Sequence, residues 1–353
     1  MVISVIVPIY NTPSDLLLKC LESLRQAINA VPEGSVECIL VNDGSTVDYI
    51  DNDVKEISDK EGFIYIKKDN GGTSSSRNYG INMGTGDYLM FVDSDDWIEP
   101  DSLVFAIEMI HRTHADAICF GLGYDDGFTD ANYQSEIRGE AAIRDWICEL
   151  VDGRAEALQR GVHLYGPVAK VYRSELIKEK GLRFDCEMQI AEDFWFNLCF
   201  FFCCKTIVID NKTVYHYVTN ENSVIHSFSG IRPRMNIDLL KRLEIYLHEK
   251  MDGRPAFRIA IKHQLLNSLD SALATHFVHP ENSAPFWQKR KELRNYLKEP
   301  TIRRWIAELR WSDAQNLRDM RNILLLKSKT YWLRLITIPV KRKVMNRISG
   351  KSR

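Results

Sequence analysis

Tyr88-Leu89-Met90-Phe91-Val92-Asp93-Ser94-Asp95-Asp96-Trp97 is the stretch on which the reading of this chain turns. Five apolar residues run without interruption into three acids and a serine. An uncharged run of that length suits a strand covered on both faces, as in a parallel sheet. Ligands of open α/β sheets sit outside the carboxyl ends of the strands, where these acids fall. Asp93 and Asp95 are two apart, and the period-two geometry of extended chain points both carboxylates the same way. Hard cations such as Mg²⁺ take one or two carboxylates and fill their shell with water and phosphate oxygens. The other reading of the same acids is a turn capping the helix that starts near Pro100.

The flanking sequence repeats the pattern. Strands are expected at 3–7, 36–41, 63–66, 88–92 and 115–120, and helices at 14–28, 47–58, 73–83 and 100–111. In the first helix Leu17, Leu18, Leu21 and Leu24 form one stripe, with Ser14 as its cap, and Gly84 closes the third. This strand–helix alternation predicts a parallel sheet with helices on both faces. Four successive strands then end in polar loop formers: Pro8-Ile9-Tyr10-Asn11, Asn42-Asp43-Gly44-Ser45, Asp69-Asn70-Gly71-Gly72 and Asp93-Ser94-Asp95-Asp96. One such turn is ordinary; four on one edge define a candidate site. Gly71-Gly72 leads into a helix carrying Arg77, which reads either as a phosphate-binding turn or as an ion pair with the acidic turn. The Lys-Ser/Thr of a Walker loop is missing.

Beyond 120 the signals weaken. Residues 121–138 read as loops, 141–151 as helix, 168–172 as strand, 174–180 as helix, 191–204 as a buried helix, and 206–209 and 214–218 as two strands. From 232 onward the pattern is helical. The composition is that of a globular protein, with 45% hydrophobic and 27% charged residues. The net charge of -2 hides an asymmetry: residues 327–353 hold nine Lys or Arg and no acid, against 37 basic and 48 acidic residues elsewhere. An acidic body argues against a nucleic-acid partner. The opening shows no signal-peptide pattern, and the apolar run at 194–204 is too short to span a bilayer, so a cytoplasmic protein is expected. The eight cysteines show no zinc spacing and read as buried, reduced thiols.

The ordered set Val5-Ile6-Val7-Pro8-Ile9-Tyr10-Asn11, Val41-Asn42-Asp43-Gly44-Ser45, Asn70-Gly71-Gly72 with Ser76-Arg77-Asn78-Tyr79-Gly80, and Asp93-Ser94-Asp95-Asp96-Trp97 resembles glycosyltransferase family 2. The likeness is dense over the first hundred residues and looser to about 230. It implies the GT-A fold, a Rossmann-like α/β arrangement with a mainly parallel central sheet. The catalytic domain would span 1–230, with a nucleotide-binding half at 1–120 and an acceptor-side half at 121–230. A helical region at 231–326 and a basic amphipathic tail at 327–353 would follow. The implied activity is inverting transfer from a nucleotide-diphosphate sugar, with UDP as the expected nucleotide, to a carbohydrate or lipid-linked surface glycan, with Mn²⁺ or Mg²⁺ as cofactor.

The resemblance also implies roles. Pro8, Tyr10, Asn11 and Asp43 hold the nucleoside, joined by Asn70, Arg77 and Asp93. Asp95 is the metal ligand, with His226 completing the shell or touching the diphosphate. In Glu192-Asp193, Asp193 is the base and Glu192 its support; the plain alternative is two acids favoured by the dipole of a helix N-terminus. Lys170 lies in Gly166-Pro167-Val168-Ala169-Lys170-Val171-Tyr172-Arg173, which resembles the family's Trp-Asn-Lys-Leu-Tyr segment without its aromatic and Asn, so a surface lysine is the alternative there. Tyr215-His216-Tyr217 and the stretch 222–227 resemble a late motif, with Val218 where Arg is usual. Two rival functions are a sugar nucleotidyltransferase, whose glycine-rich basic loop Pro8-Ile9-Tyr10-Asn11 does not supply, and a non-catalytic nucleotide-sugar binder.

In the tail, basic residues alternate with Trp332, Leu333, Leu335 and Ile336. This suits a segment lying on the anionic inner face of the cell membrane, where each basic residue adds about 1 kcal/mol. The alternative is a terminal helix packed on the protein itself, or a disordered end.

Overall fold

The apolar strands of the N-terminal third assemble as their pattern requires, but into a mixed sheet. The computed structural model describes residues 1–125, 127, 132–219, 228–251, 255–339 and 341. Its sheet contains β1 (Ile3–Ile9), β2 (Val36–Asn42), β3 (Ile64–Lys67), β4 (Tyr88–Phe91), β5 (Trp97–Ile98), β6 (Ala117–Tyr124), β7 (Gln134–Arg138), β8 (Lys170–Arg173) and β9 (Thr206–Tyr217). The order is β3-β2-β1-β4-β8-β6-β9-β5, with β7 also on β9. The first four strands pair in parallel, Ile3 of β1 lying opposite Val36 and Tyr88. Then β8 inserts antiparallel to both β4 and β6, while β9 runs parallel to β6. β5 and β7 pair antiparallel with β9, β7 with its first half and β5 near its end.

Three expectations change here. The sheet is not parallel throughout, because β8 lies antiparallel between β4 and β6, while β9 is again parallel to β6. The region read as loops contains the end of β6 and all of β7. The two late strands are one strand of 12 residues. Asp210-Asn211-Lys212 carries a turn signal, yet the chain absorbs it as a bulge, with register shifts at Phe120/Gly121 and Gly121/Leu122. Gly121 permits this: a Cβ there would lie 2.2 Å from the Asn211 carbonyl oxygen.

Helices α1 (Ser14–Asn29), α2 (Asp48–Glu61), α3 (Thr73–Met83), α4 (Ser102–Thr113), α5 (Glu140–Asp152), α6 (Glu156–Gln159), α7 (Ser174–Glu179) and α8 (Glu192–Phe201) accompany the sheet. Ser14 opens α1 but is not its cap, a position that falls on Pro13. β1 is buried along its whole length, and Leu17, Leu21 and Leu24 of α1 share its core. On the other side α3 lies close against β1, since a Cβ on Gly80 would fall 2.3 Å from Cγ2 of Ile6.

The chain divides into two compact units, Met1–Leu150 with Arg154–Asn220, and Glu221–Arg353 with Val151–Gly153. The second contains α9 (Arg232–Lys250), α10 (Pro255–Ala272), α11 (Phe286–Lys298), α12 (Pro300–Glu308) and α13 (Leu317–Lys327). Its core joins Leu240, Leu243 and Leu247 of α9 to Ile261, Leu265 and Leu269 of α10 and Trp305 of α12. The segment after α13 belongs to this unit. Tyr331 and Leu335 are buried, and the equally buried Arg334 reaches Asp270 at 3.3 Å. Arg290 lies 4.6 Å over the Trp332 ring. Bilayer insertion of Leu335 is thereby overturned, and a tail beginning at 327 starts too early. Among the described residues no helix is long and apolar enough to cross a membrane.

Candidate active site

The strand ends named in the sequence do meet along one edge of the first unit. After β1, Tyr10 is 52% exposed and Asn11 takes a left-handed φ of 48°. Its amide donates to Ser45 Oγ at 3.1 Å, and its Oδ1 accepts from the Thr46 amide at 2.9 Å. Pro8 is buried inside β1. After β2, the buried Asp43 carboxylate accepts from the Gly71 amide at 3.0 Å, the Gly72 amide at 2.7 Å and Lys68 Nζ. Asn70 Nδ2 donates to the Asp43 carbonyl at 3.0 Å. Asp43 therefore organises the loop that leads into α3. Glycine is required there: Gly72 has φ 85°, and Gly44 has φ 70° with no room for a Cβ beside the Asn70 amide.

After β4 the acidic turn alternates as its spacing predicts, with Asp93 and Asp95 partly exposed and Ser94 and Asp96 buried. The inward pair braces the turn. Ser94 Oγ lies 2.6 Å from Thr12 Oγ1. Asp96 accepts from the Tyr215 hydroxyl at 2.5 Å and the Val218 amide at 2.8 Å, and the same hydroxyl accepts from the Asp93 amide at 3.1 Å. Burial, then the charge of Asp93, pushes the Asp96 carboxyl up to about 8, and the same two causes raise Asp95. The sequence places Asp96 and Tyr215 in their motifs without giving either a role. The available signal was the fourth polar residue of the turn, which period two sends inward.

Arg77 joins the two halves of the site. It sits buried in α3 with its guanidinium 5.3 Å over the Phe184 ring. Nη2 donates to Asp93 at 2.8 Å and Nη1 to Asp193 at 2.6 Å. Burial alone would lower its pKa; Asp93 and Asp193 overcome this and hold it above its ordinary value. The ion pair with the acidic turn, one of the two sequence readings of Arg77, is present. The contact to Asp193, 116 residues away, was not foreseen.

Asp193 lies in the first turn of α8, and its side chain keeps 29% exposure. Burial pushes its carboxyl up to about 6 against the pull of Arg77, helped by Glu192 and Asp93. The residue before this pair, Ala191, has φ 65°, and Ala169 has φ 53°. With Asn11, three non-glycine residues adopt left-handed backbone in loops that bear on the site, a conformation tolerated where surrounding structure enforces it.

Lys170 is neither a surface lysine nor a group that reaches outward. It is buried, and its Nζ donates to the carbonyls of His163, Gly166 at 2.7 Å and Val168 at 3.1 Å. Burial lowers its pKa to about 8. Asn197 Nδ2 donates to the carbonyls of Leu164, Tyr165 and Gly166, and Tyr172 donates to Asn197 Oδ1 at 2.7 Å. Together they pin the loop where the family's aromatic and Asn are missing. That loop presents Tyr165, 37% exposed and edge-on to Phe194 beside Asp193.

His226 lies outside the described residues. His216, in contrast, is buried and stacked on Trp97 at 3.7 Å, with Glu99 Oε1 at 2.6 Å and the Asp125 carbonyl at 2.9 Å on its two ring nitrogens. Among the described residues no group of three or more His, Cys, Asp or Glu side chains could hold a metal by itself. The site nevertheless fits a hard cation bound jointly with a diphosphate. Asp95 has no described cationic partner and faces repulsion from Asp93, which such an ion relieves.

Comparison with known proteins identifies the family and the fold. Residues 4–179 match the model of the glycosyl transferase family 2 domain, and the chain belongs to that family. It is 31% identical over 226 residues to the glycosyltransferase GlyA of Streptococcus pneumoniae, which covers 63% of this chain but 31% of GlyA, so the chain spans less than a third of that relative. It is 27% identical over 333 residues to the uncharacterized glycosyltransferase EpsJ of Bacillus subtilis, covering 92% of this chain and 91% of EpsJ. The crystal structure of Staphylococcus aureus TarS 1–349 superposes with a TM-score of 0.68 at 19% identity, covering 97% of this chain and 92% of TarS 1–349. TarS 1–349 has also been solved with UDP-GlcNAc. At that identity the likeness establishes the fold, which is GT-A with a helical C-terminal region.

Proposed function

We propose that this chain is an inverting, metal-dependent glycosyltransferase. It moves a sugar from a UDP-sugar to a hydroxyl of a surface glycan or lipid-linked acceptor. The observation that carries this is Arg77, which binds the acidic turn after β4 and the first turn of α8 at once. A donor-binding carboxylate pair and a candidate base thereby share one guanidinium. The relatives support the substrate class: TarS was solved with UDP-GlcNAc, and its name makes it a poly(ribitol-phosphate) β-N-acetylglucosaminyltransferase.

The acceptor oxygen attacks the anomeric carbon on the face opposite the diphosphate. The new carbon–oxygen bond forms as the bond to the β-phosphate oxygen breaks, its electron pair leaving with UDP. The acceptor proton passes to Asp193. Arg77 holds Asp193 Oδ1, and in this reading Oδ2 takes the proton. A carboxyl pushed up to about 6 is ionised at neutral pH yet basic enough to take a proton. Asn11, Asp43 and Asn70 line the nucleoside side, with Pro8 shaping the strand end and the exposed Tyr10 offering its ring to the base. Asp93 lies nearer the ribose. Lys170 and Glu192 act indirectly, Lys170 by fixing the 163–168 loop. Asp95 would hold Mn²⁺ or Mg²⁺, which when bound would supply positive charge to the departing diphosphate. The protein works on the cytoplasmic face of the membrane, drawn there by basic residues beyond Pro339.

A screen of nucleotide sugars for metal-dependent hydrolysis tests the assignment. UDP released from one UDP-sugar, and lost on chelation, is the expected result. Release of another nucleotide refutes the donor, and turnover unaffected by chelation refutes the metal.

A further inference from the structure

We propose that the exposed face of α13 is a docking surface for an anionic lipid bilayer. This gives the membrane contact proposed above a defined place. The helix is amphipathic in an unusual sense. Its inward side carries Asp319, Asn322, Ile323 and Leu326, all buried. Its outward side carries Leu317 at 83% exposure, Met320 at 46% and Leu324 at 51%. These three follow helical spacing and form one stripe. Arg318, Arg321 and Lys327 are exposed beside them, and the one acid of the helix, Asp319, faces inward, where it accepts from the Gln315 amide at 3.1 Å.

The basic character extends past the helix. Arg318 at 3.8 Å and Arg334 at 3.3 Å share the single carboxylate of Asp270. Arg321 is near enough to be repelled by Arg334 and Arg318 and attracted by Asp270, so three guanidiniums gather about one carboxylate there. Arg334 Nε and the Tyr331 hydroxyl are buried with no hydrogen-bond partner among the described residues. From residue 341 to the end follow six Lys or Arg and no acid.

The chemistry selects among occupants. The basic end of the chain would meet like charge on this face. A second copy would set arginine against arginine across a twofold axis. A nucleic acid would use the guanidiniums and leave three large apolar side chains in water. An anionic bilayer satisfies both features, with apolar side chains at the acyl boundary and cations at the lipid phosphates.

The test uses the full chain with vesicles of phosphatidylglycerol and phosphatidylcholine, and with phosphatidylcholine alone. Wild type is expected to sediment with the anionic vesicles only. The triple variant Leu317→Ser, Met320→Gln, Leu324→Gln should bind at least tenfold more weakly, with unchanged melting and unchanged UDP release from a soluble donor. Arg321→Glu, a single exposed change, should also weaken binding and serves if the triple variant does not fold. Equal sedimentation of wild type and variants, equal binding to neutral vesicles, or no binding overturns the proposal. So does a wild-type dimer, without vesicles, that the triple variant dissociates. If vesicle binding behaves as expected but no nucleotide sugar is turned over, the docking surface stands and the transferase reading falls.

Discussion

Arg77→Met removes the one cation that joins the two halves of the site while keeping most of its apolar stem. Asp93 and Asp193 would each lose an ionic hydrogen bond, at 30% and 29% side-chain exposure. Deleting one partner of a buried ion pair costs ~3–5 kcal/mol, and the remaining exposure places this case near the low end, at about 3 kcal/mol. Asp193 should respond in a second way. Its carboxyl is already raised to about 6, and Arg77 is the main force opposing that rise. Without it the pKa climbs further. The sign for stability follows: an acid whose folded pKa lies above its unfolded value destabilises the fold as pH rises through that window and it must ionise. The variant should therefore lose more stability at pH 8 than at pH 4.

Catalysis reports the same change. The base must be ionised, so kcat/KM should rise with pH through about 6 in the wild type and level off above it. In Arg77→Met that limb should move to higher pH, and the plateau should fall on the order of 10²-fold because the base is no longer aligned. Pairing urea denaturation at two pH values with a UDP-release profile separates the effects. A variant with an unmoved limb and a uniform loss of rate would show that Arg77 does not set the state of Asp193. Unchanged stability would show that the bridge is not held in solution.

Asp95→Ala should abolish the metal dependence of UDP binding, read by calorimetry with and without Mn²⁺, and leave melting unchanged; persistent metal-dependent binding would remove Asp95 from the site. Asp193→Asn should keep donor affinity within a few-fold and lower transfer by about 10²-fold or more, whereas near-normal turnover would reduce Asp193 to an acid at a helix N-terminus. A chain ending at Leu326 loses the buried Tyr331, Arg334 and Leu335 and should be destabilised by more than about 3 kcal/mol, while one ending at Pro339 should melt like the whole protein. Equal melting of the two would mean that the packing after α13 contributes nothing.

The first hundred residues were legible because local signals there agree. Apolar runs end in polar loop formers at the same place in four successive units, and those four strands pair in parallel among themselves. The reading failed where pairing is distant. β8 enters between β4 and β6 from about 50 residues beyond β6, and nothing in Val171 or Tyr172 marks the direction in which it runs. β9 stayed whole because Gly121, on the neighbouring strand, made room for the bulge at Asn211.

In and around the site, the partners of the cations were the hardest feature to read from sequence. Sequence reasoning leaves Lys170 between an acceptor-side role and a surface lysine, Arg77 between a phosphate and the acidic turn, and Arg334 among the basic residues of a membrane-facing tail. All three are buried. Their acceptors come from elsewhere: three carbonyls of the 163–168 segment for Lys170, Asp93 and Asp193 for Arg77, and Asp270 for Arg334. A buried charge survives only where the fold assembles acceptors around it, and that assembly is a property of tertiary structure. The converse locates function. Among the described residues Asp95 has no cationic partner and is repelled by Asp93, and Arg321 on α13 is exposed beside Arg318 and Arg334; in the two proposals above a ligand of opposite sign would complete the balance at each.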